Sequence, residues 1–505
     1  MIIDKKLVDN QKIYSFKNIF LFIFLICTII QFLISDTEFN LVLFFLFIIT
    51  FLTFNNFFNN NYLTNFFFPT FIVISLNISM ISGPIIFKTL LYQTFDSYLL
   101  IPKKTYLNLC LYQIIANLSL YLFVNSIKLK KLSSNFGKIL EKIDIFEYPT
   151  LKTNFFLFIL FSANKFYLNY INLTSISEVG NIFLKTLVGI EILFYFPLVV
   201  FLKLFLIDKK INFIQIGLIT SFYIIVGLLT AFATNSRSDF YQIIFILFFF
   251  TFVFYLFNKK NNFIIILISI IILFILITSS WINTSILSLR DIRTDVNRTE
   301  LLKLSLENKQ EKQIIIDQDI LSEDYTGYAT FDRFILIKYF DKSLYLSDLF
   351  TESVRANFIA ENKNLALSVI PQTFINLFNP DFNKKNYQFS SGTLIERMSG
   401  YNFSKYSLGS IFVESKILYK NFNYLIFPLY LIIAFIYFNA FQKNEENSVV
   451  FSPIIIPFSW WLYHFSGLDG LHHFLTLSRE VIQATIIYFL IFKLINLFTK
   501  NKNEK

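Results

Sequence analysis

Residues 211–257 read INFIQIGLITSFYIIVGLLTAFATNSRSDFYQIIFILFFFTFVFYLF, two long apolar runs separated by one short polar turn. The runs, 211–233 and 239–257, each have the roughly 20 residues that an α-helix needs to cross the ~30 Å hydrocarbon core of a bilayer. A helix is suited to lipid because it satisfies its own backbone hydrogen bonds. The stretch therefore predicts two antiparallel spanning helices joined by a tight turn.

The same pattern recurs along the whole chain. Hydrophobic residues make up 55% of its 505 residues, and Phe alone contributes 68. A soluble protein needs a more polar surface, so we expect an all-α polytopic membrane protein whose helices pack through Phe, Ile and Leu more than through small residues. About twelve transmembrane helices are predicted, at 18–35, 39–57, 65–87, 106–124, 152–171, 181–206, 211–233, 239–257, 262–281, 422–441, 449–465 and 480–498.

One long polar stretch, residues 282–421, separates an N-terminal bundle (1–281, about nine spans) from a C-terminal bundle (422–505, about three spans). We call it the polar segment. It holds 17 basic and 17 acidic residues, which leaves 27 of the 44 basic and 17 of the 34 acidic residues elsewhere. That surplus lies in short connections, as the positive-inside rule predicts for cytoplasmic loops, and does not indicate nucleic-acid binding. Both termini are therefore expected on the cytoplasmic side of the membrane, and the polar segment is expected on the opposite, outer side.

The positive-inside rule has one exception in this topology, because the outer connection after the third span carries Lys88, Lys103 and Lys104. Within the polar segment, helical spacing of apolar residues predicts a helix in 329–345. Residues 365–378 are expected to form an amphipathic helix lying on the membrane or over the bundle.

Arginines on the outer side are candidate binding residues for a phosphate group. Arg237 lies in the tight turn near the bilayer, where a guanidinium can bind phosphate oxygens bidentately. The alternatives are an interfacial arginine or an ion pair with Asp239. Three more arginines begin the polar segment: Arg290, Arg293 and Arg298. The alternative interpretation is that they lie on a solvated helix and form ion pairs within it.

Glu414 is a candidate general base, since it lies immediately before the tenth predicted helix and a carboxylate held at an apolar helix mouth suits proton abstraction. The alternative is a helix-terminal glutamate paired with Lys416. Arg479, at the mouth of the last helix, is a further candidate for anion binding.

All three histidines lie close together in sequence, and His464 and His472 are candidate proton-transfer residues. A metal site with Asp469 and simple interfacial packing are the alternatives, but the spacing matches no strong zinc pattern, so no metal is predicted. Residues 379–401, rich in Asn, Ser, Gly and Lys, are expected to be a mobile or ligand-binding loop.

Three features resemble the Wzy-type O-antigen (oligosaccharide repeat unit) polymerases and the related O-antigen ligases. The first is the Ser-Arg turn at Ser236-Arg237, and the second is a large outer loop two helices later. The third is the stretch from Gly409 through Glu414 to Asn421-Phe422, which resembles a "G-E … N-F-G" entry into the next helix. The chain departs from that pattern where Asn423 replaces the usual glycine and where four residues separate Gly409 from Glu414.

The resemblance implies polymerisation of polyprenyl-pyrophosphate-linked oligosaccharide units into a surface polysaccharide at the bacterial inner membrane. It implies no cofactor and no nucleotide, and the chain has no Walker-type loop. Membrane lipids and a regulator of chain length are the other expected partners. Two alternatives remain: an O-antigen ligase that transfers glycan to the lipid A core, and a lipid-linked glycan flippase or transporter without enzyme activity.

Overall fold

The computed structural model describes residues 2–4, 10–170, 182–234, 238–257, 334–387, 389–400, 410–446, 448–467 and 470–500, with Lys303 and Asp332. Within these residues, nine helical stretches are long and apolar enough to cross a membrane. They are Asn10–Ile34, Thr37–Phe57, Phe67–Leu90, Pro102–Asn125, Thr186–Leu206, Phe213–Thr234, Ser238–Phe257, Ile411–Asn439 and Leu471–Ile495. Each corresponds to one of the spans predicted from the sequence.

The helices follow one another along the N-terminal part with short connections. They are α1 (Asn10–Ile34), α2 (Asn40–Phe57), α3 (Asn60–Asn65), α4 (Phe67–Asn77), α5 (Gly83–Leu90), α6 (Pro102–Asn125), α7 (Ile127–Lys142), α8 (Leu151–Tyr170), α9 (Ile182–Ile190), α10 (Phe196–Leu206), α11 (Phe213–Thr234) and α12 (Ser238–Phe257).

The polar segment and the C-terminal part add a second series. It comprises α13 (Ile337–Asp348), α14 (Glu352–Leu367), α15 (Gln372–Ile375), α16 (Ser391–Ser399), α17 (Ile411–Tyr419), α18 (Asn423–Asn439), α19 (Ser459–Tyr463) and α20 (Leu471–Lys500). Three short strands form one sheet in the order β1 (Ile2–Asp4), β3 (Ser448–Phe451), β2 (Gln442–Asn444), and both pairings are antiparallel.

The other three of the twelve predicted spans are not among these nine stretches. The predicted span 262–281 lies outside the described residues. The predicted span 152–171 is the helix α8, which is not among the nine apolar stretches. The expectation of a continuous helix over 449–465 is wrong, because this stretch is a strand, a 3₁₀ turn at Ile456–Phe458 and the short helix α19. Pro453 and Pro457 explain the break, since proline supplies no backbone N–H for a helix.

The broken stretch is buried among the other helices rather than facing lipid. Residues 449–460 are all buried, and the side-chain amide of Gln242 donates to the Pro457 carbonyl at 3.0 Å. Irregular backbone at membrane depth is tolerated only where protein or water satisfies its polar groups.

Aromatic rings supply much of the packing between helices, as the composition predicted. Phe20 of α1 stacks on Phe54 of α2 with ring centroids 4.3 Å apart, and Phe67 lies 4.9 Å from Phe451 of β3. The outward faces carry exposed apolar side chains such as Leu33, 79% exposed. Such faces suit the hydrocarbon core of a bilayer, where an outward apolar side chain avoids contact with water.

One end of the bundle, the sheet face, gathers connections that are distant in sequence. The strand β1 near the N-terminus pairs with β3, and Lys443 of β2 lies 2.7 Å from Glu141 of α7. Lys493 of α20 forms an ion pair with Asp144. Residues 125–151 and 442–448, which contribute Glu141, Asp144 and Lys443 to these contacts, are two of the connections that the predicted topology places in the cytoplasm.

The opposite end, the polar-segment face, carries the described part of residues 282–421. The carboxylate of Asp341 in α13 accepts hydrogen bonds from the backbone N–H groups of Leu100 (2.6 Å) and Ile101 (3.1 Å) and from the hydroxyl of Thr105 (2.6 Å). Asp341 is fully buried, and burial raises the pKa of its carboxyl against the opposing effect of these donors. Asp341 thus docks α13 onto the connection before α6.

A π-helical turn in the third span provides a second docking point. At Ile78–Ser82, between α4 and α5, the N–H of Gly83 bonds to the Ile78 carbonyl five residues back. Pro84 has no N–H to offer the next carbonyl, that of Ser79. The N–H of Leu336, just before α13, donates to this Ser79 carbonyl at 2.9 Å.

The polar segment itself differs from two expectations. The prediction of one amphipathic helix over 365–378 is wrong, because α14 ends at Leu367 and Pro371 precedes the separate short helix α15. The loop expected over 379–401 contains the helix α16, which follows the cap residue Ser390. The helix predicted within 329–345 corresponds to α13, which begins at Ile337.

Candidate active site

The sequence candidates divide into two groups. Arg237, Arg290, Arg293 and Arg298 lie outside the described residues. Glu414, His464, His472 and Arg479 are described, and they lie on α17, on the 3₁₀ turn at His464–Gly467 and on the first turns of α20. The site described below is therefore built around these four residues and their neighbours.

Glu414 lies at a junction of three chain segments. Its side chain is almost fully buried at 1% exposure. Oε1 accepts the backbone N–H of Leu471 at 2.9 Å, and Oε2 accepts the hydroxyl of Ser391. Because Leu471 is the first residue of α20, its N–H is one that the helix itself cannot pair, and the positive end of the helix dipole faces the carboxylate.

Lys416, the alternative partner considered for Glu414, lies near Asp348. The Lys416 Nζ lies 3.9 Å from the Oδ1 of Asp348, at the end of α13. Asn423, which stands where the resembling families have glycine, is also buried and accepts the hydroxyl of Ser415 at the junction of α17 and α18.

The backbone at Gly470 closes against the Glu414 carboxylate. A Cβ atom at this position would lie 1.5 Å from Oε2, and the glycine has φ +134°. Both the contact and the backbone conformation exclude a side chain. Sequence reasoning missed Gly470, although a glycine immediately before a helix is a visible signal.

The histidines take different environments. Nδ1 of His464 lies 2.9 Å from the Trp460 carbonyl, and the two rings are 3.9 Å apart. His473 packs 5.5 Å from the Trp461 ring. His472 directly follows Leu471, whose N–H binds Glu414. Within the described ranges, no three His, Cys, Asp or Glu side chains are grouped to hold a metal ion.

Arg479 lies two helical turns further along α20. Its Nη1 donates to the backbone carbonyl of Val369 at 3.0 Å, so the last spanning helix is linked directly to the polar segment after α14. In this geometry the exposed Arg479 contacts the rim of the site rather than the Glu414 carboxylate.

An apolar groove lies beside the Glu414 junction. Its volume is about 520 Å³, and side chains from α14, from the end of α17 and from the start of α20 line it. Leu418 and Tyr419 lie on one wall, and Leu471 and Leu475 lie on another. Leu471 therefore belongs to both features: its side chain lines the groove and its N–H binds Glu414.

A buried ionic cluster on α8 was not among the sequence candidates. Lys165 is 1% exposed, and its Nζ lies 2.6 Å from Glu191 Oε1 and 2.7 Å from Asp239 Oδ1. The hydroxyl of Tyr195 also donates to Asp239 at 2.7 Å. The signal in the sequence was the lysine within an apolar run, since an ionisable residue at membrane depth needs a named partner.

Two of the three lysines that break the positive-inside rule have identified partners. Lys88 is fully buried, and its Nζ donates to the side chains of Gln93 and Ser97, both at 2.9 Å. Lys104 forms an ion pair with Asp348 of α13. The exception to the rule thus lies where the polar segment docks.

These features define a class: an α-helical multi-pass membrane protein whose polar segment folds onto one end of the bundle and carries a buried glutamate there. Searches of family models, curated protein sequences and solved structures find no match to this chain.

Proposed function

We propose that this protein polymerises polyprenyl-pyrophosphate-linked oligosaccharide units into a surface polysaccharide. The observation that carries the proposal is the buried Glu414 junction, at the mouth of the last spanning helix and directly beside an apolar groove. A lipid-linked glycan needs this combination, an apolar surface for the lipid and a polar group for the sugar, within one site.

The reaction joins an acceptor hydroxyl to the donor sugar. The hydroxyl oxygen bonds to the donor's anomeric carbon, and the bond from that carbon to the pyrophosphate oxygen breaks. The electron pair leaves with the polyprenyl pyrophosphate, and the hydroxyl proton passes to the carboxylate of Glu414. The lipid linkage already holds the energy for the transfer, so no nucleotide takes part.

The two oxygens of Glu414 have separate roles in this scheme. Oε1 is held by the Leu471 N–H, which fixes the carboxylate and stabilises its charge. Oε2 receives the hydroxyl of Ser391, and this hydroxyl occupies the position from which a sugar hydroxyl would donate its proton. His472, next to Leu471, is the second candidate for proton transfer.

The leaving pyrophosphate requires cationic groups near the membrane surface. Arg237, Arg290, Arg293 and Arg298 are assigned to this role, and Arg479 at the groove's rim is assigned to it as well. The isoprenoid chain occupies the apolar groove between α14 and α20.

This function sets the finer topology. Twelve membrane crossings, one of them the irregular stretch 449–465, with both termini in the cytoplasm and the polar segment in the periplasm of a bacterial inner membrane, put the Glu414 junction on the side proposed for polymerisation. The two ends of the bundle support this arrangement, because the contacts of the sheet face join the connections that are rich in lysine.

The test is a deletion strain complemented with the wild type, with Glu414→Gln or with the control Glu352→Gln. Glu352 is a matched control because its side chain is 80% exposed on α14. Surface polysaccharide is then separated on a gel. Wild type and control should restore a ladder, whereas Glu414→Gln should leave a single attached repeat.

The gel also distinguishes the alternatives. Loss of all attached glycan in the deletion strain would indicate a ligase or a flippase and would contradict polymerisation. A deletion strain with an unchanged profile would contradict both enzymes, and a Glu414→Gln protein that restores the full ladder would remove Glu414 from the mechanism.

A further inference from the structure

The turn after α14 presents large apolar side chains that no described part of the chain covers. Ile370 is 43% exposed, Phe374 61%, Leu377 73% and Phe378 89%. Phe374, Leu377 and Phe378 are spaced by three and four residues, so they share one side of the turn. We call these four residues the apolar turn.

The apolar turn is held in place on its other side. Ile375 is buried at 5% exposure, and the Gln372 side-chain carbonyl accepts the backbone N–H of Lys384 at 3.1 Å. The exposure of the neighbouring rings is therefore part of an ordered local structure. In water, a contiguous patch of this kind would be unfavourable without a partner.

The contact with α20 gives the depth of this region. Arg479 donates to the carbonyl of Val369, the residue before the apolar turn. Arg479 lies fourteen residues before Lys493, which pairs with Asp144 on the sheet face, so about 21 Å of helix separates the two levels. With the level of Lys493 taken as the inner edge of the ~30 Å hydrocarbon core, Val369 lies beside the outer part of the core.

We propose that the apolar turn inserts into the outer leaflet of the bilayer and anchors the polar segment to the membrane. The partner is the hydrocarbon and headgroup boundary, where aromatic side chains are favourable. The neighbouring face of α20 supports this partner, because Ile482 and Ile486 are 46% and 51% exposed on the spanning helix itself. The insertion does not depend on the chemistry proposed for Glu414.

Spin labelling of the full-length protein in lipid nanodiscs tests the insertion. Phe378→Cys and, separately, Leu377→Cys carry a nitroxide, and its collisions with oxygen and with a water-soluble nickel chelate are compared. The native cysteines, Cys27 and Cys110, are buried. The parent protein without an added cysteine is treated with the same label to measure their background. Ile486→Cys is the lipid-facing reference, and Asn357→Cys on the exposed side of α14 is the water-facing reference.

The labels at 377 and 378 should match position 486, with high oxygen and low nickel accessibility. A pattern like that of position 357 would overturn the insertion, because the turn would then face water. Low accessibility to both reagents would overturn it as well, because another protein surface would then cover the turn. Two label positions keep the result interpretable if one variant fails to fold.

Discussion

Gly470→Ala should disable the proposed reaction by displacing the Glu414 carboxylate. The added Cβ would lie 1.5 Å from Oε2 and 2.4 Å from Cδ, whereas ordinary contacts begin near 3.4 Å. The carboxylate or the backbone must therefore move by roughly 2 Å. A misplacement of ~1 Å can cost about 10²-fold in rate, so we expect at least about a 10²-fold loss of polymerisation.

The control for this variant is Gly400→Ala. Gly400 follows α16 with φ +72°, and a Cβ there meets no atom of the described residues within 4 Å. Both variants carry the backbone strain of a side chain at positive φ, about 1–3 kcal/mol, but only Gly470→Ala collides with Glu414. Comparing the two therefore separates the collision from the strain.

The assay measures chain extension by purified protein together with its thermal unfolding in lipid–detergent mixtures. Gly400→Ala should lose stability and keep nearly full activity per folded molecule. A Gly470→Ala protein that extends chains as fast as Gly400→Ala would refute the requirement for a fixed carboxylate.

Three further predictions concern stability. Lys165→Met should cost about 3 kcal/mol, the lower end for breaking a buried pair because Asp239 keeps some exposure, and adding Asp239→Asn should recover part of it; an additive double variant in unfolding measurements would contradict the pairing. Burial raises the pKa of Asp341 above 3.8, so the folded state binds this proton more tightly than the unfolded state, and stability should fall as pH rises through that window. Asp341→Asn should flatten that part of a thermal-unfolding pH profile, and an unchanged slope would refute the assignment. Asn423→Ala removes one of two acceptors of the Ser415 hydroxyl, which also reaches the Phe412 carbonyl at 2.8 Å, and should lower the free energy of unfolding by about 0.5–1.5 kcal/mol; denaturant titration showing no loss would argue against this contact.

The spanning helices were predictable because their signal is local. About 20 consecutive apolar residues satisfy the bilayer wherever they occur, and nine stretches confirm the prediction. The span at 449–465 failed because its apolar composition does not distinguish a helix from a buried irregular segment. Pro453 and Pro457 were the available signal, and they determined the outcome.

The site was predictable only in part, because its contacts join distant residues. Glu414 and the mouth of the last helix could be named from position, but the 23-residue separation between Ser391 and Glu414 carries no pattern that predicts their contact. The partner of Lys165 was hidden for the same reason, since Asp239 lies 74 residues away. In the sequence, Asp239 stands close to Arg237 and suggests only that nearby arginine as its partner.

The most direct measurement of the proposed function uses lipid-linked oligosaccharide units extracted from cells that lack the protein. The purified protein in liposomes is given these units and no nucleotide sugar. We predict that the wild type converts single units into a ladder and releases polyprenyl pyrophosphate, and that Glu414→Gln does neither. Folded wild-type protein that leaves the units unextended would contradict polymerisation, and an equally active Glu414→Gln protein would contradict the assigned base.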